Sequence, residues 1–320
     1  MNNSSNIPRV RFGILGLARI AVQKLIPAIL KSSNASLEAI ATRDSSKIDS
    51  YRDQFKCTTY HSSYEELLDN NNIDAVYIPL PNSLHKEWAI RAMEKGKHVL
   101  CEKPLSLNAD ECTDVINASN KYNKLCMEAF MYRYTDRIKK VTELINSKVI
   151  GDIVQIHSTF RFMLDSAGAI RLHSELGGGS LYDVGCYPVN FLGMIMNDIP
   201  ESVKTEYISE HGVDIQFTGV LKYRSGVIAT VNCGFNAFFE MHTRITGKKG
   251  ILEIPATFDG TKGSITVITD NGTREVAVNE SDRFLLEIEN FANAVLGKPS
   301  WLLPLEESLQ NAKVIDMLRK

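Results

Sequence analysis

The sequence predicts an α/β domain with a doubly wound parallel sheet, followed by an α+β domain with a large open-faced, mainly antiparallel sheet. Three observations predict this. Over roughly the first 130 residues, short apolar runs alternate with helical patterns, as in parallel sheets covered by helices on both faces. Beyond about residue 150 the apolar period drops to two and glycine-bearing turns separate the runs, the pattern of hairpins. A chain of 320 residues is also long for one hydrophobic core. The boundary is placed near residue 130, giving domains 1–130 and 131–320, with the C-terminal helix expected to pack back on the first domain.

The elements follow in order. Val10 to Leu15 is an apolar strand. Arg19 to Leu30 is a helix with Ile20, Leu25, Ile26 and Ile29 at helical spacing. Leu37 to Thr42 is the second strand, and Asp44 can cap the helix after it. Ser63 to Glu66 is a capping box. Asp74 to Pro79 is a buried strand, Pro81 to Gly96 a helix with a glycine stop, and His98 to Glu102 the next strand. Asn108 to Glu111 opens another helix, and Leu125 to Ala129 is the last strand of the domain. In the second domain, Asp152 to Phe162 and Val213 to Ile254 alternate as long strands. Arg224-Ser-Gly226, Lys248-Lys-Gly250 and Asp270-Asn-Gly272 mark turns, and helices at Asp282–Leu296 and Leu305–Leu318 close the chain.

Composition excludes several classes. Apolar residues are 44%, charged residues 23% and the net charge is −2. Without a basic stripe, nucleic acid is not an expected partner. No apolar run reaches the ~18–20 residues of a membrane span. The start, Met1 to Pro8, lacks the basic and apolar regions of a signal peptide and reads as a short disordered tail. Six scattered cysteines without a CxxC pair read as reduced thiols of a cytoplasmic protein, and seven histidines without a zinc pattern predict no metal site.

Gly16-Leu-Ala18-Arg19-Ile20-Ala21 stands where the first strand turns into the first helix. A dinucleotide site needs a tight turn there, close approach of backbone to pyrophosphate, and a helix N-terminus aimed at its charge. Gly16 meets the turn; alanines replace the other two glycines of the fingerprint, so an ordinary βα turn is the competing reading. At the end of the second strand an acidic residue selects NAD. Here Thr42 and Arg43 can instead donate to a 2′-phosphate, which favours NADP over NAD, although Asp44 could serve as a ribose acceptor.

Two further stretches carry chemistry. Cys101-Glu102-Lys103-Pro104 ends the fifth strand pattern, at the carboxyl edge where doubly wound sheets bind ligands, and Pro104 can be cis. A solvated lysine is the alternative. Glu175 to Asn190 contains three glycines, then Asp183, Gly185, Tyr187 and Asn190 on a helical pattern. Asp183 and Tyr187, four apart, share a face with Asn190, three further on; a glycine loop before a core helix is the alternative.

Together, Gly16-x-Ala18-x-x-Ala21, Pro79-x-Pro81-Asn82-x-x-His85, Glu102-Lys103-Pro104 and Gly177-Gly-Gly-x-x-x-Asp183-x-Gly185-x-Tyr187 resemble the Gfo/Idh/MocA oxidoreductase family over nearly the whole chain. The resemblance implies a Rossmann domain binding NAD(P), and an open sheet often buried in oligomers, here a homodimer or homotetramer. Tyr187, where many members have histidine, is similar to the branch of glucose–fructose oxidoreductase, dihydrodiol and xylose dehydrogenases and sugar ketoreductases. Asn190 replaces an acidic residue of the family pattern, which argues against an Asp–His relay. The implied activity is hydride transfer between nicotinamide C4 and a hydroxyl or ketone carbon of a sugar, sugar-nucleotide or polyol. Tyr187 is then the acid or base, with Lys103 lowering its pKa or itself donating the proton. Asp183, Arg161 and Arg171 are candidate substrate contacts, with a surface arginine the alternative for Arg161 and for Arg171. Gly16, Ala18, Arg19, Ile20, Thr42, Arg43, Pro81, Asn82, His85, Glu102 and Lys103 are candidate cofactor contacts, although His85 could instead only pack its helix. An NAD-dependent glycoside hydrolase and a non-catalytic cofactor sensor are the competing functions.

Overall fold

The computed structural model describes residues 8–165 and 170–320, with the side chains of Ser45 and Lys47 outside that description. The tail expected over Met1 to Ile7 lies outside the described residues. The chain forms two compact units: one contains residues 1–105, 113–129 and 284–305, the other residues 106–112, 130–283 and 306–320.

The first unit is built on six parallel strands, β1 (Val10–Leu15), β2 (Ala35–Ala41), β3 (Thr59–His61), β4 (Ala75–Ile78), β5 (His98–Cys101) and β6 (Cys126–Glu128). Their spatial order, β3-β2-β1-β4-β5-β6, reverses direction between β1 and β4. The crevice beyond the carboxyl ends of those two strands is where such sheets bind ligands. Phe12, Ile14, Val76, Tyr77, Val99 and Leu100 are fully buried, as continuous apolar strands covered on both faces require. Asp44 accepts the Ser46 amide at the start of helix Ser45–Arg52, and Ser63 accepts that of Glu66. The helix after residue 283 belongs to this unit. Its Phe291 ring meets Phe12 at 6.0 Å, and its Glu289 carbonyl and Asn293 side chain accept from Asn34 Nδ2.

The first helix departs from the sequence pattern. Arg19 and Ile20 are α-helical, Ala21–Leu25 is a π-turn, and Ile26–Lys31 is α-helical again. Pro27 explains part of this, since it has no N–H to give to an α-helical ladder.

The second unit holds an eight-stranded sheet of β7 (Ile153–Met163), β8 (Ser202–Glu210), β9 (Val213–Lys222), β10 (Ile228–Gly234), β11 (Asn236–Gly247), β12 (Gly250–Pro255), β13 (Gly263–Thr269) and β14 (Gly272–Val278). The order is β14-β13-β12-β11-β7-β10-β9-β8, antiparallel except where β7 runs parallel to β10. One face is apolar and covered: Ile156, Ala229, Val231, Leu221 and Ile245 are buried there, and helix Cys186–Met196 packs on β7 and β10. The opposite face is polar and open. On it His157 hydrogen-bonds Thr230, and the Thr218 hydroxyl donates to Asn232.

Candidate active site

In the first unit, Gly16 has φ +107°, and its amide donates to the Ala41 carbonyl at 2.8 Å. A Cβ at Gly16 would stand 3.0 Å from Leu80 Cδ2, the end of a flexible side chain, and 3.5 Å from the Tyr64 hydroxyl, so it is the turn, through its positive φ, that demands glycine. The helix begins at Arg19, and its first i→i−4 hydrogen bond runs from the Val22 amide to the Ala18 carbonyl at 3.1 Å. Its first amides are therefore offered to an anion, and Ala18, Arg19 and Ile20 border that position. The site fits a diphosphate.

At the end of β2, Thr42 is buried and its hydroxyl accepts the Asp44 amide. The Arg43 guanidinium is exposed and lies 5.0 Å over the Tyr64 ring. Asp44 Oδ1 accepts both the Ser46 amide and the Ser46 hydroxyl, so this oxygen caps the helix that follows.

At the ends of β4 and β5 the polypeptide is pinned from several sides. Tyr77 Oη donates to Glu102 Oε1 at 2.5 Å. Burial, then the neighbouring carboxylate, push this phenol well above its ordinary pKa, so it remains a donor. The Leu105 amide donates to Glu128 Oε1. Between these anchors the Lys103–Pro104 bond is cis. His85 lies beside it, fully buried. Its Nδ1 is 2.7 Å from the Pro104 carbonyl and its Nε2 2.8 Å from the Leu80 carbonyl. Burial lowers its pKa against the opposing pull of those two carbonyls. This favours the packing reading of His85: with no exposed surface, its ring lies between the loop after β4 and the loop after β5, and its one N–H donates to one of the two carbonyls. Pro81 and Asn82, in the loop after β4, are half-buried.

In the second unit, helix Cys186–Met196 opens with a π-turn at Leu181–Gly185. Asp214 on β9 receives the Ser180 hydroxyl at 2.6 Å and the Leu181 amide at 2.8 Å, anchoring the start of that turn from the sheet. Burial raises the pKa of Asp214 and these two donors oppose the rise. Gly185 explains the Asp-x-Gly spacing, because a Cβ there would come within 2.8 Å of Cys233 Sγ on β10. The helix sits directly on the sheet only with glycine at that position. Asp183 accepts from Arg171 Nε at 2.5 Å, and the glycine run holds this pair: the Gly179 amide donates to the Arg171 carbonyl and the Gly178 amide to that of His173. Tyr187 is 5% exposed. Its ring is surrounded by Phe130, Tyr132, Phe160 and Phe258 at centroid distances of 5.4–5.9 Å, and its hydroxyl approaches Met131 Sδ.

Two expectations about this unit are corrected. Arg161 follows Phe160 on β7, and Phe160 packs on Tyr187. Strand alternation therefore turns Arg161 to the opposite, open face, where it pairs with Glu240 at 3.5 Å. It does not share a face with Tyr187. Asn190 is buried and accepts from Tyr132 Oη at 2.5 Å and from Arg133, so it supports the helix rather than extending the face of Asp183 and Tyr187. Sequence reasoning missed Tyr64, Tyr77, Glu128 and Asp214, since each acts from an element distant in sequence and carries no local motif.

The comparisons with known proteins agree with this construction. Residues 10–130 match the oxidoreductase family with an NAD-binding Rossmann fold, and residues 138–253 match the GFO/IDH/MocA C-terminal domain. The chain is 37% identical over 313 residues to D-xylose 1-dehydrogenase (NADP(+)) 2 of Haloferax volcanii, covering 96% of this chain and 95% of that one. It is 29% identical to dTDP-3,4-didehydro-2,6-dideoxy-alpha-D-glucose 3-reductase of Actinomadura kijaniata, over 100% and 97% of the two chains. The crystal structure of KijD10, a 3-ketoreductase from the same organism in complex with NADP and TDP-benzene, superposes with a TM-score of 0.89 at 27% identity over 97% of each chain. Aldose-aldose oxidoreductase of Caulobacter crescentus, at 23% identity and a TM-score of 0.88 over 97% of this chain and 96% of that one, shares the fold. With both family domains matched across the Gly16 turn, the Glu102-Lys103-Pro104 edge and the Asp183–Tyr187 helix, the chain belongs to the Gfo/Idh/MocA family of oxidoreductases.

Proposed function

We propose that this chain is an NADP-dependent sugar dehydrogenase or reductase, with a neutral aldose as its substrate class. The observation that carries the reading is Tyr187. It is a phenol set in an apolar aromatic nest on the same helix as the Arg171–Asp183 pair, in a family whose first unit binds a nicotinamide dinucleotide. Bound NADP supplies the hydride chemistry at nicotinamide C4. In oxidation Tyr187 takes the proton of the substrate hydroxyl; in reduction it returns it. Lys103, next to the end of β5, is the second group of the proposed pair: an ammonium beside the phenol would favour the phenolate and bring this proton transfer towards neutral pH. Lys103 donating directly to the substrate oxygen is the reverse assignment. Asp183, fixed by Arg171, accepts from a substrate hydroxyl.

Support for NADP comes from the exposed Arg43, the capping role of Asp44, and the relatives named for NADP. Support for an aldose comes from the Haloferax relative's name. The open face of the eight-stranded sheet is read as the surface through which two or four copies assemble. Among the described residues no helix is long and apolar enough to cross a membrane.

The test is a panel of aldoses, keto-sugar nucleotides and diols, run in parallel with NADP and NAD. The expected result is net formation of NADPH with an aldose, at a kcat/KM at least about tenfold above that with NAD. Release of sugar from glycosides without net NADPH would establish the hydrolase instead, and NADP binding without either reaction would establish the sensor.

A further inference from the structure

Among the described residues, the covered face of the eight-stranded sheet is uncovered around the start of β11. Thr243 and Ile245 on β11 point into this face and are fully buried, and Met241, two residues earlier, pairs with Phe160 of β7. Phe239 continues the same alternation, yet 55% of it is exposed. Its ring meets Phe160 edge-on at 6.4 Å, and Phe160 meets Tyr187 at 5.4 Å. One ring therefore separates Phe239 from the catalytic phenol. The strand makes room for this: its register with β7 breaks between Asn236 and Glu240, which loops Ala237, Phe238 and Phe239 out of the ladder. Breaks of this kind re-aim side chains beside active sites. Two adjacent phenylalanines, 91% and 55% exposed, serve no purpose in the unit's own core, and an uncovered apolar surface of this kind marks a contact.

Resting on the sugar-oxidoreductase reading, we propose that Phe239 determines specificity. Its ring is the wall on which the hydrogen-bearing, apolar face of a neutral sugar ring packs, while the hydroxyls on the other side address Asp183 and Tyr187. The division suits the chemistry of the site: aromatic surface gives a pyranose its position without competing for hydrogen bonds, and the polar groups orient the reacting carbon. Phe238, its 91% exposed neighbour, is the control position.

The experiment compares steady-state kinetics of the wild type, Phe239→Ser, Phe239→Leu, Phe239→Tyr and Phe238→Ser with D-xylose and NADP, alongside NADPH affinity and sedimentation velocity. Phe239→Ser is expected to raise the sugar KM about tenfold or more, with kcat and NADPH affinity within about twofold. Phe239→Leu, which keeps apolar bulk but loses the flat ring, gives an intermediate rise. Phe239→Tyr and Phe238→Ser leave KM within about twofold. An unchanged KM in Phe239→Ser overturns the inference, and so does weakened self-association at unchanged KM, which would make the ring an assembly contact. A wild type that oxidises no aldose defeats the functional reading itself, an outcome visible before any variant is assayed.

Discussion

Tyr187 can be tested for chemistry apart from binding because its ring and its oxygen do different work. The ring fills the space between Phe130, Phe160 and Phe258, and phenylalanine would fill it equally. Tyr187→Phe is therefore expected to keep the fold and the NADPH affinity while kcat falls about 10²–10⁴-fold, the usual contribution of a positioned acid or base. Stopped-flow hydride transfer together with NADPH fluorescence titration separates the two quantities, and an undiminished transfer rate would remove the phenol from the mechanism. At this scale the sequence was informative where chemistry needs rare residue types at fixed spacing, as in Glu102-Lys103-Pro104 and Asp183-x-Gly185-x-Tyr187. It misled where a side chain's direction decides. Nothing local says which face of β7 Arg161 takes, or that the His85 ring is buried between the Leu80 and Pro104 carbonyls.

At the scale of elements, the loop before the catalytic helix is shaped by backbone rather than by side chains. A Cβ at Gly178 would lie 2.5 Å from the Arg171 carbonyl oxygen and 2.8 Å from that of His173. Those atoms are main chain, so the segment that carries Arg171 must move. Gly178→Ala is expected to cost about 1–3 kcal/mol, the usual range for overpacking, and to loosen the hold of Arg171 on Asp183. Urea denaturation reads the first effect and an increased sugar KM with little change in NADP KM reads the second; a variant as stable as wild type would show that the loop yields freely. The elements themselves were legible where periodicity is strong. The parallel strands, the capping boxes and the hairpin turns at Lys248–Gly250 and Asp270–Gly272 come directly from pattern. β3 has only three residues, too few to show a period, and β8, with Lys204, Glu206 and Glu210, reads as polar because it is a sheet edge. The two π-turns are likewise invisible, since one extra residue per turn does not alter the apolar pattern on either side.

For the whole molecule, the open face of the second sheet poses a question of area. An antiparallel sheet can leave one face to water, and this face carries Thr218, Thr230, Asn232 and His157 in hydrogen-bonded rows. Among them stand Val220 and Ile228, 40% and 43% exposed on adjoining strands. Polar rows around a small apolar centre are the composition of an interface between folded copies, and burying about 800 Å² on each partner makes a specific one. A twofold axis through such a face sets Val220 and Ile228 against their own counterparts, so a single substitution acts twice. Replacing both with lysine places four buried charges near one axis. At about 1.5–3 kcal/mol of lost apolar burial per residue, with charge repulsion in addition, the assembly constant falls by several orders of magnitude. Val220→Lys with Ile228→Lys is therefore expected to sediment as a monomer at micromolar concentration where the wild type sediments as a dimer or tetramer. Far-UV circular dichroism remains unchanged, because neither side chain reaches the core of its own unit. A wild type that is monomeric throughout, or a double variant that assembles unchanged, would assign the open face to solvent and leave its apolar centre unexplained by self-association.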